Sequence, residues 1–589
     1  MASNPQKQLI NSVETCVDDM LEGVVATYPH VRKLRGHRVV LREDFEELKS
    51  SGKVTVLSGG GSGHEPFCAG YVGANMLTGI IAGSVFTSPP PNDILAAIKA
   101  VASPAGTLLV VINYTGDRLN FGIAAERARA EGIKVETITV AEDCALTSTD
   151  KTAGRRGLCG SMLVFKIAGT LAEEGRPIEE IARIATEAAN SMGTIGIGLT
   201  PCNVPGSGAS FSLGNDEMEL GLGVHGEAGV KRMKMTPAKS VITTMINHMT
   251  DQTTASHIKI ASGDRVAIVL NNLGATSVLE FNIVIKEAIA FLEDKGVVVE
   301  RVLTGHLMTS LDMAGVALTI MHLDDTRRRC LEKDTTAFAY PRQIQSKTFV
   351  VGSKRIGQPE IEGADSMETT GKDEIIASDI EPGNKVLLIE AIRSACDALI
   401  ENEGLLNDLD KAAGDNDCGM TLKTGAQGIK ALLDSFPQMT PYAMFVAMAT
   451  SVESSIGGAS GALYSLFLSA AAVPLRKSTD FQGWCDALNA ATKAISKYGG
   501  AEPGDRTMLD PLHAACQTLQ PVQGNSTPAE SFQKAVQAAE EVTKATTHMK
   551  AKAGRASYVN PELLTKPDAG ATAVTLWLRA ACDVMGKRK

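Results

Sequence analysis

The sequence predicts two domains of different class: an α/β domain in residues 9–338 and an all-helical domain in residues 383–585. A chain of 589 residues exceeds the ~250–300 residues that one hydrophobic core serves. Short β-branched runs alternate with helical patterns in the first region, whereas in the second the apolar residues recur at helical spacing. Residues 339–382 are rich in Gly, Pro, Ser, Glu and Asp and lose this periodicity, which is typical of a linker.

Composition excludes several classes of protein. Hydrophobic residues make up 44% of the chain and charged residues 21%, as in a folded globular protein. The formal net charge is −10 and no Lys/Arg stripe is present, so we expect no direct nucleic-acid or membrane partner. The 11 cysteines form no C-x-x-C pair, which indicates a reduced intracellular protein. With no signal pattern and no long apolar run, the predicted location is cytoplasmic.

The first half of the α/β domain contains two glycine- and polar-rich strand ends. Residues 9–50 are predicted as helix, loop and helix. A strand at 54–57 is predicted to lead into a glycine loop, Ser58-Gly59-Gly60-Gly61-Ser62-Gly63-His64-Glu65-Pro66, which would let backbone N–H groups approach a ligand. His64 is either a proton-exchanging group of that site or a cap of the next helix.

A second strand, 107–112, ends in Asn113-Tyr114-Thr115-Gly116-Asp117-Arg118. A helix near 120–131 and a strand near 134–140 follow. Ligands of open α/β sheets sit beyond the carboxyl ends of strands. Because His64 and Asp117 both follow such ends, we expect them to share a pocket.

The second half begins after a glycine-dense stretch, residues 200–229, which contains Gly223-Val224-His225-Gly226-Glu227. His225 looks buried, and it is either a ligand-contacting residue or a structural turn histidine. The alternation of predicted strands and helices resumes near residue 265, with strands at 266–270, 297–299 and 316–320 and a helix at 277–294. The first domain therefore consists of two α/β halves.

The helical domain is predicted from eight segments, 386–400, 421–435, 441–455, 459–473, 481–498, 507–519, 528–547 and 571–585. An acidic loop containing Asp410, Asp415 and Asp417 lies between the first two. Close carboxylates repel unless a cation offsets them, and Mg²⁺ prefers oxygen ligands. The loop is thus either a Mg²⁺–nucleotide site or a solvated acidic turn that caps a helix.

Four further loops lead into helices of the same domain, at 457–464, 503–510, 553–558 and 567–571. Helix N-termini carry free N–H groups and a dipole that favours phosphate. Arg506 could reach a phosphate or pair with Asp505 or Asp510. Together with the acidic loop, these loops favour a nucleotide site.

Several motifs are specific enough to indicate a family. They are Gly59–Pro66, Asn113–Asp117, Gly223–Glu227, the acidic loop and Gly504-Asp505-Arg506-Thr507-Met508-Leu509-Asp510. Over nearly its whole length the chain resembles the single-chain, ATP-dependent dihydroxyacetone kinases, and within them the animal triokinase/FMN cyclases. The resemblance implies a substrate domain first and an ATP-binding helical barrel last.

The resemblance also implies roles for individual residues. His225 would form a covalent hemiaminal with the substrate carbonyl, and His64 and Asp117 would be the acid/base pair at the attacking hydroxyl. The substrate pocket would be lined by His64, Asp117 and Gly61, Ser62, Gly63 and Ile112. Two Mg²⁺ ions would be held by Asp410, Asp415 and Asp417. ATP would be bound by Asp415, Asn416, Asp417, Cys418, Ser460, Gly461, Arg506, Thr507, Asp568, Ala569 and Gly570.

The activity implied is phosphorylation of dihydroxyacetone and glyceraldehyde by Mg·ATP, with a second activity that splits FAD into cyclic FMN and AMP and uses Mn²⁺ or Co²⁺. Phosphoryl transfer would require the two domains to meet, within one chain or across the homodimer that the resemblance suggests. Family relatives include regulators and an inhibitor of an innate RNA sensor. The alternative function is therefore a non-catalytic carbonyl-sugar or nucleotide sensor that binds other proteins.

Three positions depart from the family pattern. Ile112 stands where the family has a lysine, which would remove a contact to substrate. In the acidic loop, Asn416 replaces a glycine and Met420 a threonine; asparagine tolerates left-handed backbone, so we expect the loop to close. Ala569 replaces a proline, which should have little effect.

Overall fold

The structure is a computed structural model that describes residues 7–145, 154–341, 378–411, 416–456, 458–519, 527–553, 555–559 and 564–586. These residues form two compact units, one within 7–341 and the other within 378–586. Most of the predicted linker, and Asp415, lie outside the described residues. In the part of the chain that is described, no helix has the length and apolar composition needed to cross a bilayer.

The first unit contains two six-stranded sheets, as the prediction of two α/β halves requires. The first sheet is built from β1 (Val31–Lys33), β2 (Val39–Arg42), β3 (Thr55–Ser62), β4 (Gly79–Val85), β5 (Thr107–Ile112) and β6 (Val135–Val140). Its strand order is β1-β2-β4-β3-β5-β6. Strand β3 pairs in parallel with β4 and β5, and β5 pairs in parallel with β6. Every residue of β5 is buried, as expected of a parallel strand covered on both faces.

The second sheet is mixed, with strand order β11-β10-β7-β14-β12-β13. Its strands are β7 (Met192–Gly198), β10 (Glu217–Leu220), β11 (Lys231–Lys234), β12 (Arg265–Asn272), β13 (Val298–Gly305) and β14 (Gly315–His322). A small hairpin, β8 (Asn203–Val204) with β9 (Gly208–Ala209), precedes β10. Strands β12 and β13 are parallel, whereas β14 is antiparallel to both of its neighbours, β7 and β12.

Nine helices of the described chain cover these sheets in layers: α1 (Cys16–Thr27), α2 (Phe45–Ser50), α3 (Pro91–Val101), α4 (Thr115–Ala130), α5 (Ser161–Glu173), α6 (Ile178–Asn190), α7 (Ala238–Thr250), α8 (Val278–Asp294) and α9 (Asp325–Glu332). Alternate residues of each strand face opposite layers. Leu109 and Val111 pack against α3 and α4. Leu108 and Val110 belong to a central core that α1, α5 and α6 share with the second sheet. Helices α7 and α8 cover the other face of the second sheet.

Among the backbone hydrogen bonds that join the halves, two sets lie near the strand ends described above. Residue 194 of β7 bonds to the chain just after β6: Thr194 N–H donates to the Glu142 carbonyl at 2.8 Å, and Cys144 N–H donates to the Thr194 carbonyl at 2.7 Å. The loop after β13 bonds to the chain just after β3, since Leu311 N–H donates to the Gly63 carbonyl at 2.9 Å. The glycine-bearing end of β3 is therefore held by the second half.

Two local predictions were wrong. The helix–loop–helix predicted for residues 9–50 is interrupted by the hairpin of β1 and β2, in which β2 pairs with β4 on its other side. The predicted glycine loop after residue 57 is largely strand, because β3 continues through Gly59, Gly60 and Gly61 to Ser62. These glycines fit there because β4 approaches closely: a Cβ on Gly59 would lie 2.3 Å from the Ile81 carbonyl oxygen.

The second unit is all-helical in its described residues, as predicted. Its helices are α10 (Pro382–Glu401), α11 (Glu403–Asp410), α12 (Cys418–Lys430), α13 (Pro441–Ser455), α14 (Gly458–Leu475), α15 (Phe481–Gly499), α16 (Leu509–Thr518), α17 (Pro528–Ala545) and α18 (Ala569–Gly586). The prediction missed α11, which follows α10 after a one-residue break. The acidic loop therefore lies between the second and third helices of the unit, and not between the first and second.

Candidate active site

His64 and Asp117 lie at the same edge of the first sheet. His64 comes two residues after β3, and Asp117 lies in the first turn of α4, just beyond β5. The two strands are parallel neighbours, so their carboxyl ends meet at one edge. A Cβ placed on Gly60 would be 4.0 Å from Asp117 Oδ1. The imidazole of a third residue, His225, lies beside His64, with ring centroids 4.9 Å apart, so both histidines belong to this site.

His64 is held as a neutral ring with one free lone pair. It is 2% exposed, and its Nδ1 lies 2.8 Å from the Thr309 carbonyl oxygen. Because a carbonyl only accepts, Nδ1 carries the hydrogen and Nε2 is the acceptor. Burial, with the charge of His225, lowers the pKa of His64 to about 3. Nε2 is buried and has no hydrogen-bond partner among the described residues.

Asp117 is a buried carboxylate with a single side-chain donor in the described structure. The Ser88 hydroxyl donates to Asp117 Oδ1 at 2.6 Å. Burial raises the pKa of Asp117 to about 6, against the lowering effects of the Ser88 hydrogen bond and the charge of His225. The carboxylate is thus poised to gain or lose a proton just below neutral pH.

His225 is half-buried, less enclosed than the sequence suggested, and its Nδ1 is bound to a carboxylate. Nδ1 lies 2.8 Å from Glu227 Oε1, and the backbone N–H of His225 donates to Glu227 Oε2 at 3.1 Å. Burial works to raise the pKa of Glu227, but the hydrogen bond and charge of His225 and the charge of Arg156 lower it to about 2. Since the carboxylate accepts, Nδ1 is the donor. The Nε2 lone pair of a neutral His225 ring is therefore free for other chemistry.

Three aromatic rings surround the His225 imidazole. The ring centroids of His64, Phe86 and Tyr114 lie 4.9, 5.0 and 4.8 Å from that of His225, each in edge-to-face geometry. Phe86 also stacks on His64, with centroids 5.0 Å apart. This wall shields one side of the site from water and holds the two imidazoles in fixed orientations.

The predicted pocket residues at and just after the end of β3 act mainly through close packing. Gly63 has φ +99°, and a Cβ there would lie 2.7 Å from the Phe86 ring, so glycine permits both the backbone and the stacked ring. A Cβ on Gly61 would meet the Thr87 backbone nitrogen at 2.7 Å. The Ser62 hydroxyl donates to the Gly83 carbonyl at 2.8 Å. These residues shape the wall that carries Phe86.

Ile112 belongs to the central hydrophobic core. It is 3% exposed, and a Cβ on Gly157 would lie 2.6 Å from the Ile112 side chain. An aliphatic side chain fits this position, so the residue predicted to line the substrate pocket contributes apolar packing there.

Four residues of this site were given no role by the sequence: Phe86, Ser88, Tyr114 and Glu227. Glu227 and Tyr114 lie inside quoted motifs, and an acidic residue two positions after a histidine could have been recognised as its partner. Nothing in the sequence marks Phe86. It adopts φ +54°, a strained conformation for an aromatic residue, and its backbone N–H donates to the Ser62 carbonyl at 2.9 Å.

In the second unit, the backbone of the described part of the acidic loop is bonded to the Asp410 carboxylate. The Asp417 backbone N–H donates to Asp410 Oδ2 at 3.2 Å. Asn416 has φ +63°, which is the left-handed conformation that we expected asparagine to adopt at a position where the family has glycine. Carboxylate oxygens are donors that suit a hard cation such as Mg²⁺. No group of three potential ligands is present among the described residues, and Asp415 lies outside them.

Arg506 is buried beside the start of α18. Its Nη1 lies 3.6 Å from Asp568 Oδ2, while Nε and Nη2 donate to the carbonyls of Thr546 and Lys566 at 3.2 and 2.9 Å. The sequence left open a pairing with Asp505 or Asp510, but Asp510 accepts from backbone N–H groups and Asp505 pairs with Lys552. In the described structure, Arg506 Nη1 has no hydrogen-bond partner.

The neighbouring predicted residues lie at helix starts. Asp568 Oδ1 caps α18 by accepting from Ala571 N–H at 2.9 Å, and burial raises the pKa of Asp568 to about 6. A Cβ on Gly570 would lie 3.7 Å from the Met508 backbone nitrogen, next to Thr507, so the 506–508 and 568–570 segments meet. Cys418 at the start of α12 packs in one cluster with Tyr464 of α14, the helix that begins with Gly458, Ser460 and Gly461.

We expect Arg506→Met to weaken ATP binding. The buried Nη1 can donate to a phosphate, and a charge-assisted hydrogen bond contributes about 1.5–3 kcal/mol, so KM for ATP should rise roughly 10–100-fold. The measurement is KM for ATP and the shift in Tm caused by ATP, in Arg506→Met and in the milder Arg506→Lys. Arg579→Met, which removes an α18 arginine paired with Glu540 at 2.7 Å, is the matched control. An unchanged KM for ATP in Arg506→Met would contradict the contact.

Comparison with known families matches both units. The Dak1 domain model matches residues 22–339, and the DAK2 domain model matches residues 412–583. The first match contains His64, Asp117 and His225, and the second contains Asp417, Arg506 and Asp568.

Individual relatives match over nearly the full length. The chain is 47% identical to the Mus musculus protein named triokinase/FMN cyclase, over 98% of this chain and 99% of that one. Its identity to the Homo sapiens triokinase/FMN cyclase is 46%, with the same coverage. The crystal structure of the C. freundii dihydroxyacetone kinase in complex with AMP-PNP and Mg²⁺ is similar with a TM-score of 0.65 and 30% identity, over 98% of this chain and 99% of that one. The chain therefore belongs to the dihydroxyacetone kinase family, in which a Dak1 and a DAK2 domain are joined in one polypeptide.

Proposed function

We propose that this protein transfers the γ-phosphoryl group of ATP to dihydroxyacetone and glyceraldehyde, and that its helical unit also splits FAD into cyclic FMN and AMP. The observation that carries the kinase proposal is His225, whose Nδ1 is bound to Glu227 at 2.8 Å. This leaves a ring nitrogen free beside a neutral histidine and a carboxylate of pKa about 6. The names of the mouse and human relatives support both activities.

The first step is capture of the substrate carbonyl. The Nε2 lone pair of His225 forms a bond to the carbonyl carbon, and the π electron pair of the carbonyl moves to its oxygen. Nδ1 gives up its proton to Glu227, which passes it to solvent, and the carbonyl oxygen takes up one proton from solvent, so the adduct contains every atom of the imidazole and of the carbonyl compound. A polyol such as glycerol has no carbonyl and cannot form this bond. Covalent capture therefore selects short carbonyl sugars.

The second step is activation of the hydroxyl that receives the phosphoryl group. Asp117, ionised above about pH 6, accepts the proton of that hydroxyl. His64 is neutral at physiological pH because its pKa is about 3, and its unpartnered Nε2 accepts a hydrogen bond that orients the substrate. The structure thus favours Asp117 as the base and His64 as the orienting partner within the predicted acid/base pair.

The donor site lies in the helical unit. Asp410 and Asp417, with Asp415 as the third predicted ligand, would hold Mg²⁺, which neutralises phosphate charge during phosphoryl transfer. The C. freundii relative was crystallised with AMP-PNP and Mg²⁺. Arg506 Nη1, which has no hydrogen-bond partner among the described residues, would donate to the phosphates, and Asp568, Ala569 and Gly570 would line the nucleotide site beside it. The same carboxylates would hold the Mn²⁺ or Co²⁺ that FAD cyclisation would use.

Several finer statements belong to the same proposal. The first unit is the substrate domain, residues 9–338, and residues 383–585 form the nucleotide-binding helical barrel. The protein acts in the cytoplasm as a homodimer, and an innate RNA-sensor protein is a further proposed partner. The non-catalytic sensor alternative is less well supported, because the site keeps its two histidines and Asp117 together and Asn416 preserves the left-handed turn of the acidic loop.

The decisive assay uses purified protein with ATP plus dihydroxyacetone or glyceraldehyde, and with FAD alone, each with Mg²⁺, Mn²⁺ or Co²⁺. Triose phosphate formed with Mg·ATP, and cyclic FMN formed from FAD, would support the proposal. Absence of phosphorylation on either carbonyl sugar would refute the kinase function.

We expect kcat/KM for dihydroxyacetone to fall below about pH 6, because protonated Asp117 cannot accept the hydroxyl proton. The Ser88 hydrogen bond lowers the pKa of Asp117, so Ser88→Ala should raise that pKa and move the acid limb to higher pH. A lost hydrogen bond of about 1.4 kcal/mol corresponds to about one pH unit. The measurement is the pH–rate profile of both proteins. FAD cyclisation is the control, since its profile should not move with Ser88; a common shift in both activities would contradict the assignment.

A further inference from the structure

Arg156 lies directly behind the loop that carries His225. Its Nε donates to Asp143 Oδ2 at 2.6 Å, and its Nη2 donates to the Gly221 carbonyl at 2.7 Å. Its Nη1 lies 4.0 Å from Glu227 Oε2. One guanidinium therefore bonds to Asp143, just after β6, and to Gly221 in the loop that carries His225, and it lies beside the Glu227 carboxylate that holds His225 Nδ1.

The anchor on the far side is rigid. Asp143 is 2% exposed, and its other oxygen accepts from Ala145 N–H at 2.8 Å. The backbone on both sides of Asp143 is bonded to β7 through Glu142, Thr194 and Cys144. The Arg156 guanidinium, once bound to the Asp143 carboxylate, has few alternative positions. The loop from Gly221 to Glu227 is therefore held at a fixed position relative to the sheet.

The loop on the near side leaves no spare room. A Cβ on Gly223 would lie 1.8 Å from Glu227 Oε2 and 2.5 Å from Arg156 Nη1. The Gly223 N–H donates to the Glu227 carbonyl at 3.0 Å, which closes the turn around His225. The imidazole of His225 therefore rests on one packed layer, which consists of the Arg156 guanidinium, the turn from Gly223 to Glu227 and the Glu227 carboxylate.

We propose that Arg156 is a positioning residue for carbonyl capture: held by Asp143, it fixes the Gly221–Glu227 loop so that Glu227 binds His225 Nδ1 and Nε2 faces the substrate. This inference rests on the proposed kinase function. Arg156 does not touch substrate; it acts through Glu227 and His225. Because His225 must meet the carbonyl carbon in a defined geometry, loss of this support should weaken covalent capture, and the phosphoryl transfer that follows capture should be affected much less.

The expected result is an effect on KM, which reports capture of the carbonyl substrate, with little effect on kcat, which reports phosphoryl transfer. In Arg156→Met, KM for dihydroxyacetone should rise at least ~10-fold, which corresponds to a capture step weakened by about 1.4 kcal/mol, because capture precedes phosphoryl transfer, while kcat at saturating substrate changes less than ~3-fold. Arg156→Lys keeps a charge but cannot bond Asp143 and Gly221 together in the same geometry, so its KM should be intermediate. Arg183→Met, which removes an exposed arginine of α6 paired with Glu187 at 2.8 Å, is the matched control and should not change KM.

Two further measurements exclude a merely structural role. FAD cyclisation by Arg156→Met should equal that of the unmodified protein, whereas general misfolding would lower both activities. In the Glu227→Gln background, Arg156→Met should raise KM much less than it does alone, because the two residues act in series.

Each outcome decides the inference. An unchanged KM in Arg156→Met, an equal loss of both activities in Arg156→Met and Arg156→Lys, or strict additivity with Glu227→Gln would overturn it. If the unmodified protein phosphorylates no carbonyl sugar at all, it is the proposed function that fails. Selective labelling of histidine with ¹⁵N gives an independent readout, since the Nδ1–H signature of His225 should be lost or averaged in Arg156→Met only.

Discussion

Replacing His225 with alanine should abolish phosphorylation of dihydroxyacetone and leave FAD cyclisation intact. The imidazole supplies the nucleophilic nitrogen, and no other described side chain beside His64 and Asp117 offers an equivalent group held by a carboxylate at 2.8 Å. We expect kcat/KM to fall on the order of 10³-fold, equal to about 4 kcal/mol of lost stabilisation. The measurement is coupled detection of triose phosphate beside chromatographic detection of cyclic FMN.

A control histidine exists in the same unit. His322 lies at the far end of β14, where Nε2 donates to the Lys259 carbonyl at 2.7 Å, so His322→Ala should keep both activities. Full kinase activity in His225→Ala would show that the residue has no covalent role. A parallel loss of cyclisation would instead indicate damage to the whole protein.

Removing the charge of Asp410 should disable both activities together. Asp410→Asn preserves an oxygen that can accept the Asp417 N–H, now at 3.2 Å, yet it removes one negative charge from the predicted metal site. Since the cation neutralises phosphate charge in phosphoryl transfer and in FAD cleavage, we expect each rate to fall on the order of 10³-fold at a fixed metal concentration. Asp415→Ala should also remove both activities.

The control is Asp408→Asn, a change of the same chemistry on an exposed position of α11, which should leave both rates unchanged. Partial recovery of Asp410→Asn at high Mg²⁺ or Mn²⁺ would identify the defect as metal affinity. Chelation of the unmodified protein should mimic the variant. If Asp410→Asn kept either activity at low metal concentration, a metal site shared by the two reactions would be wrong.

The two-domain architecture and the positions of the site loops could be predicted from local patterns. The β-branched run 107–112 became β5, and the helical spacing from residue 441 to residue 585 became α13 to α18 within a few residues at each end. Such elements are stabilised by periodic burial of their own side chains, which is visible in a short window of sequence.

Other elements could not be predicted in this way. The hairpin of β1 and β2 exists because β2 pairs with β4 about 40 residues away, so its three- and four-residue strands have no local signal. Strand β3 continues through three glycines because β4 lies against them. Helix α11 is separated from α10 by Asn402 alone, and helical periodicity does not show such a short break.

The sequence by itself determined which residues could do the chemistry: two histidines and an aspartate after strand ends, and acidic and arginine-bearing loops before helices. Only the tertiary structure decided their partners. It binds His64 to Thr309 across 245 positions, and it places Arg156 behind Glu227 and Arg506 beside Asp568. It also holds Phe86, Leu311 and Arg506 in left-handed backbone, a conformation that their residue types do not prefer. The physical reason is range: a residue's propensity acts over its near neighbours, whereas protonation states, tautomers and strained backbone depend on burial and on contacts between distant parts of the chain.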